Sequence, residues 1–81
     1  MPRRVLDYDK RFAQSFGAAV RIVREQRAIS QKLLAERIGI GREYVSYIEN
    51  GQVKVSLEVA RDIAGALRVS LSELLVAAGV K

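Results

Sequence analysis

A polar run in the middle of the chain has the residue types needed to contact nucleic-acid bases. If residues 42–50 are helical, an advance of about 100° per residue places five hydrogen-bonding side chains on one side of the helix: Arg42, Glu43, Ser46, Tyr47 and Asn50. An arginine can contact the O6 and N7 atoms of guanine together, and a glutamate can accept from cytosine N4. The run therefore predicts a helix that reads bases in the major groove, and the alternative is an ordinary solvated face.

The residue types that support most other chemistry are missing. The 81 residues include no Cys and no His, which excludes disulfides, thiolate or imidazole metal ligands, and nucleophile–base pairs that need either residue. No paired-carboxylate motif and no glycine-rich phosphate loop stands out. We therefore expect no enzyme activity, no catalytic residue, no metal site, no cofactor and no small-molecule ligand.

The distribution of charge indicates which part of the chain meets a polyanion. The net charge is +5, and the whole surplus lies in residues 1–54, which hold 11 basic and six acidic side chains. Residues 55–81 hold three of each, so this neutral part is free to pack or to self-associate. The alternative is a solvated basic face without a partner. No apolar stretch reaches the roughly 18 residues of a membrane span, and we expect a cytoplasmic protein without membrane contact.

Five helices can be predicted around the polar run, which gives an all-α fold. The chain is rich in Ala, Leu, Arg and Glu, and its one proline is Pro2, so helix is favoured throughout. Side chains that can cap a helix precede four of the five predicted helices: Asp7 or Asp9, Ser30, Ser56 and Ser70.

The apolar spacing also predicts which side chains of these helices are buried. In the first helix the predicted stripe has steps of three and four residues: Phe12, Phe16, Val20 and Val23. In the fourth helix the predicted stripe has the same helical spacing: Leu57, Ala60, Ala64 and Leu67. The second and third helices are short and joined by a glycine-containing turn, which is typical of a helix-turn-helix.

Several motifs in and around this helix pair resemble the helix-turn-helix of the phage Cro and repressor class, also called the XRE family. They are Ser30-Gln31, Leu34-Ala35, Gly39-Ile40, Tyr44-Val45-Ser46, Ile48-Glu49-Asn50-Gly51, Ile63-Ala64, Leu67, and Ser70 with Leu74-Leu75. The run RxYVSxIE over residues 42–49 is also similar to the controller proteins of restriction–modification systems. The resemblance implies a five-helix bundle of the lambda-repressor-like DNA-binding type, with the helix-turn-helix at about residues 30–51. Gly41 departs from the family, which usually has Ser or Thr as the N-cap there.

The resemblance implies a role for each matching side chain. Base readout falls on Arg42, Glu43, Ser46, Tyr47 and Tyr44, although Tyr44 borders the apolar side of its helix and can instead be a packing residue. Phosphate contacts fall on both sides of that helix: Gln31, Lys32, Asn50, Gln52 and Lys54. Gln31 follows a capping serine at a helix N-terminus, which suits phosphate, and the alternative is a surface residue. Arg24 and Glu49 match a structural ion pair that fixes the third helix without contacting bases.

The expected function is sequence-specific, double-stranded-DNA-binding transcriptional regulation, most simply repression, by a homodimer on a palindromic operator. One reading helix contacts few base pairs, so two are needed about one turn of DNA apart. We expect a flexible arm over residues 1–8, and the alternative is that its Arg3 and Arg4 enter a minor groove. We also expect one domain over residues 9–81, and dimerisation by the C-terminal helices over residues 56–79. The predicted dimer interface consists of Val55, Val59, Leu75, Val76 and Val80. The alternatives are a restriction–modification controller protein, a helix-turn-helix antitoxin or, from another class, a protein-interaction module that does not read DNA.

Overall fold

The computed structural model describes residues 9–79, and these form five helices and no strand. The helices are α1 (Lys10–Gln26), α2 (Gln31–Ile38), α3 (Arg42–Glu49), α4 (Leu57–Ala66) and α5 (Leu71–Ala77). The prediction of an all-α, five-helix fold is confirmed. None of these five helices combines the length and the apolar character that crossing a membrane requires. The predicted arm over residues 1–8 and the predicted interface residue Val80 lie outside the described residues.

Four of the five described helices begin at a side-chain cap that the sequence predicts. Asp9, Ser30, Ser56 and Ser70 each accept a hydrogen bond from a backbone N–H in the first turn of the following helix, at 2.9 to 3.1 Å. Glu73 completes a capping box, because its carboxylate accepts from the Ser70 backbone N–H at 2.9 Å. This hydrogen bond lowers the pKa of the Glu73 carboxyl below its ordinary value of 4.5.

The five helices enclose one apolar core. The helix α1 packs on α3 and α5, α2 packs on α3 and α4, and α4 packs on α5. The largest fully buried side chains come from all five helices and from the residue that ends α4: Val20, Leu34, Val45, Ile48, Ile63, Leu67 and Leu74. The inner side of α3 is therefore held in the core, as the sequence predicts for Val45 and Ile48.

Two apolar residues that the sequence predicts to be buried are exposed. Leu57 is 73% exposed and Phe12 is 44% exposed, so both predictions are wrong. Both residues lie in the first turn of a helix, at the edge of its buried stripe. The buried side of α4 includes Ile63, which is 1% exposed and lies about 120° around the helix from Leu57.

The helix α1 crosses the C-terminal end of α3 at a distance that requires glycine. A Cβ atom on Gly17 would overlap the backbone carbonyl groups of Ile48 and Glu49. Gly51, just after α3, has a left-handed φ of 69°, and a Cβ atom there would lie 2.7 Å from the Cα atom of Gln14. These two close approaches let the backbone of α1 fix where α3 ends and how it is oriented.

Candidate nucleic-acid interface

The outer side of α3 presents the polar side chains that the sequence places there. Arg42, Glu43 and Tyr47 are exposed, and Ser46 is half-buried. The exposed amide of Asn50, which follows the helix, donates a hydrogen bond to the Ser46 hydroxyl at 3.4 Å. The structure thus brings four predicted base-reading side chains together on one surface, and a guanidinium, a carboxylate, a phenol and a hydroxyl can all form hydrogen bonds with base edges.

Tyr44 lies at the border between this surface and the core. Its side chain is half-buried and packs against the core. This placement fits the packing interpretation of Tyr44, while its contact with DNA stays a prediction.

A buried carboxylate at the C-terminal end of α3 links this helix to α1. Glu49 is 5% exposed and accepts two hydrogen bonds from Arg24 of α1, at 2.6 Å from Nε and 3.2 Å from Nη2. The third guanidinium nitrogen of Arg24, Nη1, donates to the Ile29 carbonyl oxygen at 2.8 Å. The hydrogen bond to Glu49 raises the pKa of Arg24 above its ordinary value. The two residues predicted to pair therefore join α1, the turn before α2 and the end of α3.

Gln31 connects this buried pair to the outer surface. Its side-chain amide nitrogen donates to Glu49 Oε1 at 3.0 Å, and its amide oxygen accepts from Arg42 Nη1 at 3.5 Å. Gln31 is half-buried, so it is not a free surface residue. The side chains form a continuous series from Arg24 through Glu49 and Gln31 to Arg42.

The remaining predicted phosphate contacts lie on both sides of α3. Lys32 is exposed in the first turn of α2, and Gln52 and Lys54 are exposed in the segment between α3 and α4. With Asn50, they border the polar surface of α3. Their contact with phosphate stays a prediction.

Sequence reasoning missed Arg21. Its Nε atom lies 3.6 Å from Glu49 Oε1, and its side chain is 50% exposed. The signal in the sequence is its position three residues before Arg24, which places both side chains on one side of α1.

A separate apolar groove lies where α1, α4 and α5 meet. Its volume is about 190 Å³, and its lining includes both apolar residues that were wrongly predicted to be buried: Phe12, Phe16, Val55, Ser56, Leu57, Ala60, Leu71 and Leu75. Of the predicted interface residues, Val55 and Leu75 line the groove and are half-buried. Val59 is half-buried against the core, whereas Val76 is 65% exposed and does not line the groove. Within residues 9–79, no group of three or more acidic side chains is placed to hold a metal ion.

Comparisons with known proteins agree with this arrangement of helices. A helix-turn-helix family model matches residues 20–74 of the chain. An uncharacterized HTH-type transcriptional regulator of Mycobacterium tuberculosis (strain ATCC 25618 / H37Rv), Rv0474, is 44% identical over 64 residues, which cover 79% of this chain and 46% of that protein. The chain therefore spans about half the length of this relative.

Two solved structures are similar to the five-helix fold. The clp gene regulator ClgR from C. glutamicum superposes with a TM-score of 0.82 at 29% identity, over 84% of this chain and 88% of that chain. The restriction-modification controller protein C.AhdI from Aeromonas hydrophila superposes with a TM-score of 0.74 at 37% identity, over 76% of this chain and 94% of that chain.

Proposed function

The chain belongs to the helix-turn-helix family, and from this premise we propose that it is a sequence-specific, double-stranded-DNA-binding transcriptional regulator. The observation that carries the proposal is the outer side of α3, where Arg42, Glu43 and Tyr47 point away from a core that holds the inner side. A carboxylate at the centre of a surface that bound phosphate alone would weaken binding. Its presence favours reading of base edges.

Each side chain of the interface has a proposed role. Arg42 contacts guanine, and Glu43 accepts a hydrogen bond from cytosine N4, with Ser46, Tyr47 and Tyr44 completing base readout. Phosphate contacts come from the residues that flank α3: Gln31, Lys32, Asn50, Gln52 and Lys54. The protein acts on DNA in the cytoplasm and is not an enzyme.

We propose that the regulator is a homodimer that binds a two-fold symmetric site. A single α3 reads few base pairs, and a second copy about 34 Å along the DNA doubles the sequence that is read. The groove lined by Phe12, Val55, Leu57, Leu71 and Leu75 is the proposed contact between copies. The residues that line the groove are all uncharged, so the lining itself brings no like charges together in this contact.

Repression by covering a promoter is the proposed mode of action, since a bound dimer blocks access to the DNA beneath it. Control of a restriction–modification system is the second candidate. What favours it is the similarity to C.AhdI, 94% of whose length is covered by this chain.

Selection of bound sites from a random duplex library tests the proposed function. We expect an enriched, symmetric site with half-sites about one turn of DNA apart, and binding that weakens steeply as salt rises. Arg42→Ala should relax the preference at one guanine and cost about 1–3 kcal/mol.

Lys32→Ala is the matched variant for a phosphate contact and should weaken all sites alike. Lys32 is preferable to Gln31 here because Gln31 also bonds to Glu49 and Arg42. Absent or salt-insensitive binding would contradict the proposal and favour a protein-interaction module.

Sedimentation analysis of Leu57→Asp tests the proposed dimer. Leu57 is the first residue of α4, where an acidic side chain favours the helix, so the change should separate the copies without unfolding them. Ile22→Asp is the control, since Ile22 is an exposed apolar residue of α1 that does not line the groove. A dimer that survives Leu57→Asp, or an unaltered protein that stays monomeric at tens of micromolar, would contradict the proposal.

A further inference from the structure

We propose that Arg21 of α1 is a further DNA contact, which binds a backbone phosphate next to the N-terminus of α2. The proposal rests on the proposed DNA-binding function and extends the interface from α2 and α3 to a third helix. It starts from the position of Arg21, whose half-exposed guanidinium lies beside the buried network under α3.

Arg21 is not needed to satisfy the Glu49 carboxylate. Glu49 already accepts two hydrogen bonds from Arg24 and one from Gln31. Arg21 Nε lies 3.6 Å from Glu49 Oε1 and makes no hydrogen bond to it within the described residues. The guanidinium groups of Arg21 and Arg24 therefore lie beside the single carboxylate of Glu49, and these three groups together carry one positive charge. An anion from outside the protein can neutralise it.

The position of Arg21 places that charge on the side of the molecule that faces DNA in the proposed function. Arg21 Nε and Gln31 Nε2 both lie close to the same oxygen atom, Glu49 Oε1, at distances of 3.6 and 3.0 Å. Gln31 in turn contacts Arg42 of the reading helix. Arg21 is thus adjacent to the first residue of α2 and continuous with the polar surface of α3.

The same place offers further groups that suit a phosphate. The backbone N–H groups of Gln31 and Lys32 are the first two of α2, where a helix has no internal acceptor for them. A phosphate seated here would meet the positive end of the α2 dipole and Arg21 together.

The experiment measures duplex binding by fluorescence anisotropy across salt, from about 50 to 200 mM. Arg21→Gln removes the charge but keeps an amide that can still contact Glu49, and Arg21→Lys keeps the charge. Arg61→Gln is the matched control for a lost positive charge. Arg61 is 68% exposed on α4 and pairs with its own neighbour Asp62.

We expect Arg21→Gln to reduce the slope of log K against log salt by about 0.9, the value for one lost phosphate contact. The loss of affinity should be equal for matched and mismatched sites, because phosphate contacts carry no sequence information. Arg21→Lys should retain the slope of the unaltered protein, and so should Arg61→Gln.

A slope for Arg21→Gln equal to that of Arg61→Gln, while the unaltered protein binds, would overturn the role of Arg21 and leave the proposed function standing. A reduced slope in Arg21→Lys would also overturn it, because charge alone would not explain the contact. Absence of salt-sensitive binding by the unaltered protein would overturn both proposals.

Discussion

Replacing Glu49 with alanine should destabilise the protein more than most single substitutions. Glu49 has a fully buried side chain and is the carboxylate partner of Arg24, whose side chain is 11% exposed. Without Glu49, the Arg24 guanidinium remains buried with one carbonyl acceptor, Ile29 O, and loses the only carboxylate to which it is hydrogen-bonded among the described residues. The substitution therefore leaves a buried charge without its hydrogen-bonded partner.

The expected loss follows from this geometry. Breaking a buried ion pair by removing one partner costs about 3–5 kcal/mol. A chain of this length has a total stability of roughly 4–12 kcal/mol, so the substitution removes a large part of it. At about 4–8 °C per kcal/mol, the melting midpoint should fall by at least about 12 °C.

Thermal and urea denaturation followed by circular dichroism measure this loss. Glu36→Ala is the control, since Glu36 is an exposed carboxylate of α2 and its loss should change stability by less than about 0.5 kcal/mol. The double variant Arg24→Met with Glu49→Leu should recover part of the loss, because replacing both partners by apolar residues leaves no unpaired charge. Equal midpoints for Glu49→Ala and Glu36→Ala would refute the reasoning.

Two further outcomes are expected. Gly17→Ala should destabilise the protein by about 3 kcal/mol or more, because its Cβ atom would overlap the carbonyl group of Ile48. Gly65→Ala should stabilise the protein by about 0.5–1 kcal/mol, since no neighbouring atom lies within 4 Å of its Cβ position. Equal urea midpoints for the two variants would contradict the close crossing of α1 and α3. The hydrogen bond from Ser70 holds the folded-state pKa of Glu73 below 4.5, so its charge stabilises the fold above that pH and this contribution is lost as the pH falls through the lowered pKa. The unaltered protein should therefore have a higher urea midpoint than Glu73→Gln at neutral pH, and the two midpoints should converge in acid. A difference in midpoint that does not change with pH would disprove the role of the charge.

The helices were predictable because their signals are local. The capping side chains Asp9, Ser30, Ser56 and Ser70 act within one turn of their own helix, and Gly51 ends α3 through its own φ. The set of side chains that point outward from α3 could be predicted from helical geometry alone. These features need no knowledge of how the helices pack.

The errors and omissions depend on packing between helices. The apolar stripe of α4 contains Leu57 by spacing, but α4 packs on α2 and α5 with Ile63 buried and Leu57 exposed. Gln31 matched the family as a phosphate contact, yet its bonds to Glu49 and Arg42 require the ends of three helices to meet. Arg21 was missed for the same reason, because its partner Glu49 is 28 residues away in the sequence.

The outward side chains of α3 differ in whether they are hydrogen-bonded to the series formed by Arg24, Glu49 and Gln31, and this difference decides how much a substitution affects stability. Glu43 and Tyr47 project from α3 without a hydrogen bond to another side chain of the described residues, so we expect changes at these positions to alter the proposed base readout at little cost in folding. Arg42 differs, because Gln31 joins it to the buried Glu49. A change at Arg42 leaves the amide oxygen of Gln31 without this donor, and a change at Glu49 removes the carboxylate that holds Gln31 and, through it, Arg42. If α3 reads bases as proposed, new specificity is therefore expected to be reached most directly through Glu43 and Tyr47, while the hydrogen bonds among Arg24, Gln31 and Glu49 hold the orientation of α3.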